Sequence, residues 1–209
     1  ITSIDLGALT TTQLGGMTST QVGAIGTAQA GGLTTTEIAA LTTTQLGGMT
    51  ATTIGALSTT QFGSFTTTEL AALNNTQLGG LKTAEIAAMS TTQLGGLTST
   101  ELGVLTTTQV GGLTTTQLAA LTTTQIDGLT ATQLGSLSTT QFASFTSTGI
   151  AELSSTQLNG LKTTEIAALT TTQPGGMTST QLGRLPNPLI GTPSRTDPDT
   201  PTPTPLGGS

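Results

Sequence analysis

The chain contains no cysteine, histidine, tryptophan or tyrosine, and four phenylalanines are its only aromatic residues. Without cysteine there is no disulfide framework, no thiolate metal site and no thiol nucleophile. Without histidine, cysteine and tyrosine the usual nucleophile–base pairs cannot be assembled. The expectation is therefore no catalytic, cofactor-binding or metal-ligating residue, no cofactor, and a protein that is not an enzyme. Charge is scarce as well: four basic residues face ten acidic ones, a net charge of −6. So few cations disfavour nucleic acid, whose binding requires phosphates to be neutralised. No apolar run is long enough to span a membrane. No charged-then-apolar segment opens at Ile1, so an exported chain would have lost its signal upstream or would use another route.

What remains is regular. Residues 1–184 are 23 copies of one eight-residue phrase without insertion or deletion, and residues 9–16 give it as Leu-Thr-Thr-Thr-Gln-Leu-Gly-Gly. Numbered from Leu9, position 1 is always Leu, Ile, Met or Phe. Position 2 is Thr, Ser or Asn except at Gly26, Lys82 and Lys162, and position 4 is Thr in 20 copies. Position 5 is Gln, Glu or Asp except at Thr53 and Gly149. Position 6 is aliphatic or Phe except at Ala30 and Pro174, and positions 7 and 8 are mostly Gly or Ala.

This is a helix start written over and over. Thr10 as N-cap with Gln13 three residues on is a capping box, and Leu9 with Leu14 is the hydrophobic staple that accompanies it. Gly15 and Gly16 are expected to end the helix in the left-handed conformation glycine adopts at least cost. Positions 1 and 6 are expected to point inward, with Thr at 2, 3 and 4 and the group at 5 pointing outward or capping. An eight-residue unit cannot bury its own apolar side chains and a one-turn helix is hopeless alone, so stability must come from stacking on neighbouring copies. The reading is an all-α repeat solenoid of short helices. A β-solenoid is the alternative, because Thr favours strands and a corner between positions 1 and 6 would let both face one core.

Two kinds of octad alternate. Those starting at residues 9, 25, 41 and onward always carry Gln at position 5 and often end Gly-Gly, as at Gly47-Gly48. Every acidic residue at position 5 lies in the other kind, which often ends Ala-Ala, as at Ala39-Ala40. The alternation suggests a 16-residue coil of two octads, with like stacked on like in about 11 coils and a rod on the order of 100 Å at ~8–10 Å per coil. The segment 57–89, with Phe62, Phe65 and Lys82, returns at 137–169 with Phe142, Phe145 and Lys162. This 80-residue duplication is an offset of ten octads, which would equal five such coils. Pro174 and Arg184 read as signals ending the run. Residues 185–209 form a Pro/Thr-rich tail or linker of extended geometry.

Few residues offer chemistry. Glu69, Glu85 and Glu101, at 16-residue steps, would form an acidic ladder on adjacent coils, able in principle to serve a glycosidase or a calcium ion. The plainer reading is that each caps its own helix, since Gln fills the same slot elsewhere and can do neither job. Asn74-Asn75-Thr76 matches the N-glycosylation triplet inside an octad, and tail hydroxyls suit O-linked sugar on composition. Phe62, Phe65, Phe142 and Phe145 occupy staple positions and read as core rather than as a binding spot.

The phrase Leu-Thr-Thr-Thr-Gln-Leu/Ile-Ala/Gly-Ala/Gly resembles octad repeats in large repetitive bacterial proteins described as adhesin-like, surface or secreted. The resemblance covers residues 1–184 and implies an extracellular or cell-surface location. The functional expectation is a structural or adhesive solenoid acting as spacer, fibre subunit or surface-layer component, with self-association and possible surface or glycan contact. The alternative is a module binding ice or another ordered surface through outward Thr rows.

Overall fold

The computed structural model describes residues 2–183 and 185. They form 22 α-helices and one 3-10 turn, and no strand is present among them. The solenoid is helical, and the β-solenoid alternative is not supported.

Each octad except the one that holds Pro174 builds one α-helix of four to six residues. In the helix Thr11–Gly15, Thr10 Oγ1 accepts from the Gln13 backbone N–H at 3.2 Å, and Gln13 Oε1 accepts from the Thr10 N–H at 2.8 Å. Two of the free N–H groups of the helix start are thereby satisfied within the octad. Positions 1 and 2 are extended, as at Met49 (ψ 141°) and Thr50 (ψ 154°), and make a corner between consecutive helices. The position-1 N–H closes each helix by donating to the position-6 carbonyl, as Leu81 does to Leu78 at 3.2 Å.

Three such helices, not two, complete a coil. The helix Ser3–Gly7 packs against Thr27–Ala30, Ser19–Gly23 against Thr43–Gly48, and Ser99–Val104 against Thr123–Gly128; each helix stacks on the one three octads later. The expected 16-residue coil of two octads is overturned. A corner of only two extended residues turns the chain part of the way round, so three are needed to close it. Between seven and eight coils fit the repeat region, roughly 60–75 Å of rod at the same packing distance.

The alternation of octad kinds has a different cause from the one expected. Three is odd, so each octad stacks on one of the opposite kind. A glycine at position 8 meets positions 3 and 7 of the octad one coil earlier. A Cβ added at Gly48 would overlap the carbonyl of Ser19, and one added at Gly23 would overlap the carbonyl of Gly48. This closest approach recurs where position 3 is Ser or Ala and position 7 is Gly, as at Ser3/Gly7, Ala51/Gly55 and Ser99/Gly103. Small residues four apart share one helix face and let two backbones touch. No glycine among the described residues has positive φ, and the helices end in right-handed or extended caps, so the expected left-handed termination is not used. The duplication spans ten octads, which is not a whole number of coils. It therefore shifts its copy onto the next face of the rod.

The core is one continuous column of position-1 and position-6 side chains, with Phe62, Leu78, Ile86 and Leu102 each no more than 1% exposed. Phe62 and Phe65 meet edge to face at 5.3 Å, and Phe142 and Phe145 at 5.7 Å, which makes them core as expected. Pro174 cannot supply the position-6 N–H, and its octad forms only the 3-10 turn Pro174–Gly176. The repeat then resumes with the helix Ser179–Leu182, so Pro174 interrupts the run rather than ending it. Leu185 is buried and donates to the Leu182 carbonyl at 3.2 Å, which places it with the repeat as a further position 1. Arg184 and residues 186–209, with the expected tail, lie outside the described residues.

Candidate functional site

The side chain that joins coil to coil is the position-5 glutamine. Its Oε1 completes the capping box, and its Nε2 reaches down to the previous coil. Gln45 Nε2 donates to the carbonyls of Leu14 and Met17, both at 2.8 Å, and Gln109 Nε2 to those of Leu78 and Leu81, both at 2.8 Å. Every position-5 glutamine from Gln45 to Gln181 makes such bonds, to carbonyls 28 to 31 residues earlier. Of the outward or capping roles expected for position 5, these glutamines take the cap, and most of them are buried rather than outward. Thr53, in the same slot, manages one bond, from its hydroxyl to the Ile25 carbonyl at 3.0 Å. Sequence reasoning found the cap and missed the ladder. Its trace was the constant choice of Gln over Glu in one octad kind, since Glu caps equally well but brings no donor.

The acidic ladder does not exist. With three octads per coil, Glu69, Glu85 and Glu101 fall on three different faces of the rod. Each caps its own helix: Glu69 Oε2 accepts from the Thr66 N–H at 2.6 Å, Glu85 Oε2 from Lys82 N–H at 2.7 Å, and Glu101 Oε2 from Thr98 N–H at 2.6 Å. Glu69 and Glu85 are buried, not solvent-facing. Burial pushes the Glu85 carboxyl above the usual carboxylate range, with the Lys82 N–H bond and the Lys82 charge opposing. The exposed Asp5 carboxyl is held below its usual range by hydrogen bonds from the Thr2 backbone and hydroxyl. Asn74 Oδ1 accepts from the Gln77 N–H at 3.0 Å, so the asparagine of the glycosylation triplet is an N-cap. No group of three or more acidic residues that could hold a metal occurs among the described residues. None of the described helices is long and apolar enough to cross a membrane.

The outward faces are threonine, as expected for positions 2 to 4. On the face carrying the helices Ser19–Gly23, Thr43–Gly48 and Thr67–Ala71, position 4 is an exposed Thr in every third octad from Thr20 to Thr164. Position 3 is Thr at every step from Thr43 to Thr163. Position-2 hydroxyls are engaged in caps, whereas those of Thr43, Thr44, Thr91 and Thr92 make no hydrogen bond among the described residues. Shallow depressions between stacked helices lie on this face, one lined by Thr43, Thr67, Thr68, Ala71, Ala72 and Gly96. Lys162 is its one exposed charge among the described residues.

A capped short helix, an extended corner and a buried amide, repeated octad after octad, define a helical repeat solenoid. The chain belongs to the ALTTAQ repeat family, which matches it at residues 1–35, 38–75, 70–107, 88–123, 110–147 and 150–187. Read as residues, that name runs from position 8 of one octad to position 5 of the next, as from Ala8 to Gln13. Its second Ala falls at position 4, where this chain has Ala only at Ala28 and Ala84. No curated protein matches the chain.

Proposed function

We propose that this chain is a structural spacer of the cell exterior, part of an adhesin-like or fibrous assembly, in which the solenoid holds other parts at a fixed distance. The observation that carries the reading is the amide ladder, which ties each coil to the one before it by bonds that are mostly buried. Repeated nearest-neighbour contacts make a stack whose length scales with coil number. The same coil-upon-coil contacts suit association of copies. Two measurements test it. Small-angle scattering is expected to give a rod profile, with sedimentation reporting association. Protease shaving of intact source cells is expected to release fragments of the repeat. A globular profile, or a repeat that stays protected until the cells are lysed, retires the reading.

A second reading, binding to ice, is favoured by the unbroken threonine face. The variation of position 2 counts against a regular row, but positions 3 and 4 of this one face escape it once the three-octad coil is known. Thermal hysteresis that is lost in Thr92→Lys/Thr116→Lys supports it, and absence of hysteresis in the parent chain removes it.

A further inference from the structure

The glutamate octads leave a gap in the amide ladder. By the register of its glutamine counterparts, Glu85 lies over the carbonyls of Ile54 and Leu57, where Gln77 and Gln93 place an N–H donor over their own pairs. Glu85 Oε2 is used by the cap, while Oε1 is buried without a hydrogen-bond partner. The Leu57 carbonyl accepts from no donor among the described residues. An ionised carboxylate there sets a buried, charged acceptor against further acceptors, an arrangement that costs free energy until a donor enters.

We propose that Glu85 is a proton-binding latch between coils: a proton taken from solvent onto Oε1 turns the carboxyl into a copy of the glutamine amide, donating to the Leu57 carbonyl. One O–H bond forms, the negative charge is lost and no other bond changes. The raised affinity of this carboxyl for its proton has the same sign. The charged group beside it is Lys82 of its own octad, exposed to solvent. The stacked helices Thr59–Phe62 and Thr107–Gly111 and the preceding helix Ala51–Ile54 carry no titratable residue. Glu37 repeats the orphan oxygen with no lysine in its octad. Glu165 repeats it with Lys162 Nζ at 3.7 Å, beyond hydrogen-bond reach. The latch makes the rod tighten on acidification, opposite to the loosening produced by a carboxylate whose proton affinity folding lowers, such as Asp5.

The test is a carboxyl carbon NMR titration of the full chain, with Glu85 assigned by Glu85→Gln, alongside the Leu57 carbonyl resonance. Glu85 is expected to titrate above a glutamate in an unstructured peptide, and Leu57 to shift with the same midpoint. Because Gln occupies this slot elsewhere, Glu85→Gln is expected to fold. It should unfold at higher denaturant than the parent near about pH 7, the difference vanishing near about pH 4. A Glu85 midpoint at or below the peptide value, a Leu57 resonance that ignores it, or a Glu85→Gln variant no more stable at neutral pH would overturn the latch.

Discussion

Gln109 Nε2 donates to the Leu81 carbonyl at 2.8 Å across 28 residues of chain, and no other donor among the described residues reaches that oxygen. A cap that is local to one octad and a bond that is long-range between coils therefore reside in one side chain. Gln109→Ala removes both and strands a buried carbonyl, with an expected cost of ~2–4 kcal/mol. Gln13, exposed and engaged only in its cap, is the control: Gln13→Ala is expected to cost ~1 kcal/mol. Hydrogen exchange resolved by residue is the suitable readout, since long repeat arrays lose all-or-none unfolding.

Adjacent glycines are expected to respond with opposite signs. A Cβ at Gly47 meets nothing, so Gly47→Ala is expected to stabilise by ~0.5–1 kcal/mol through reduced backbone freedom in the unfolded chain. A Cβ at Gly48 overlaps the Ser19 backbone, so Gly48→Ala is expected to cost ~1–3 kcal/mol or more as the two coils are forced apart. Paired denaturant titrations of the two variants decide the matter.

The staples outrank the threonines. Leu78→Ala empties a fully buried site and is expected to cost ~2–5 kcal/mol, whereas Thr92→Ala, on the exposed face, should stay within ~0.5 kcal/mol of the parent. A larger loss at Thr92 would mean that the threonine rows, not the staples, hold the coils.

Pro174 marks a removable defect. Leu at this position restores the position-6 N–H that other octads direct to the position-2 carbonyl, as Leu94 does to Ser90 at 3.0 Å. Pro174→Leu is expected to turn the 3-10 segment into a helix and to stabilise it by ~3 kcal/mol. Slower amide exchange over residues 173–177 would show this.

The octad, its capping box and its staple were legible in the sequence because each is complete within one octad and its flanking residue: Thr10 and Gln13 cap one another, and Leu9 packs against the core that holds Leu14. The coil was not legible, because its bonds join residues three to four octads apart and no local rule reaches that far. Alternating octads invited stacking of like on like, whereas Gly48 requires the unlike Ser19 and Gly23 beneath it. Two traces were present: the pairing of Ser or Ala at position 3 with Gly at position 7, as in Ser19 and Gly23, and the preference for Gln109 and its kin over Glu. The acidic ladder failed for the same reason, since a step of two octads leads from Glu69 to another face rather than to the next coil.

Three octads per coil is the central claim, and a chain without cysteine is suited to testing it with paired spin labels. Labels at Thr92→Cys and Thr116→Cys, three octads apart on one face, are expected to lie closer than labels at Thr92→Cys and Thr108→Cys, two octads apart on different faces. A shorter distance for the two-octad pair would contradict the three-sided coil and restore the two-sided one.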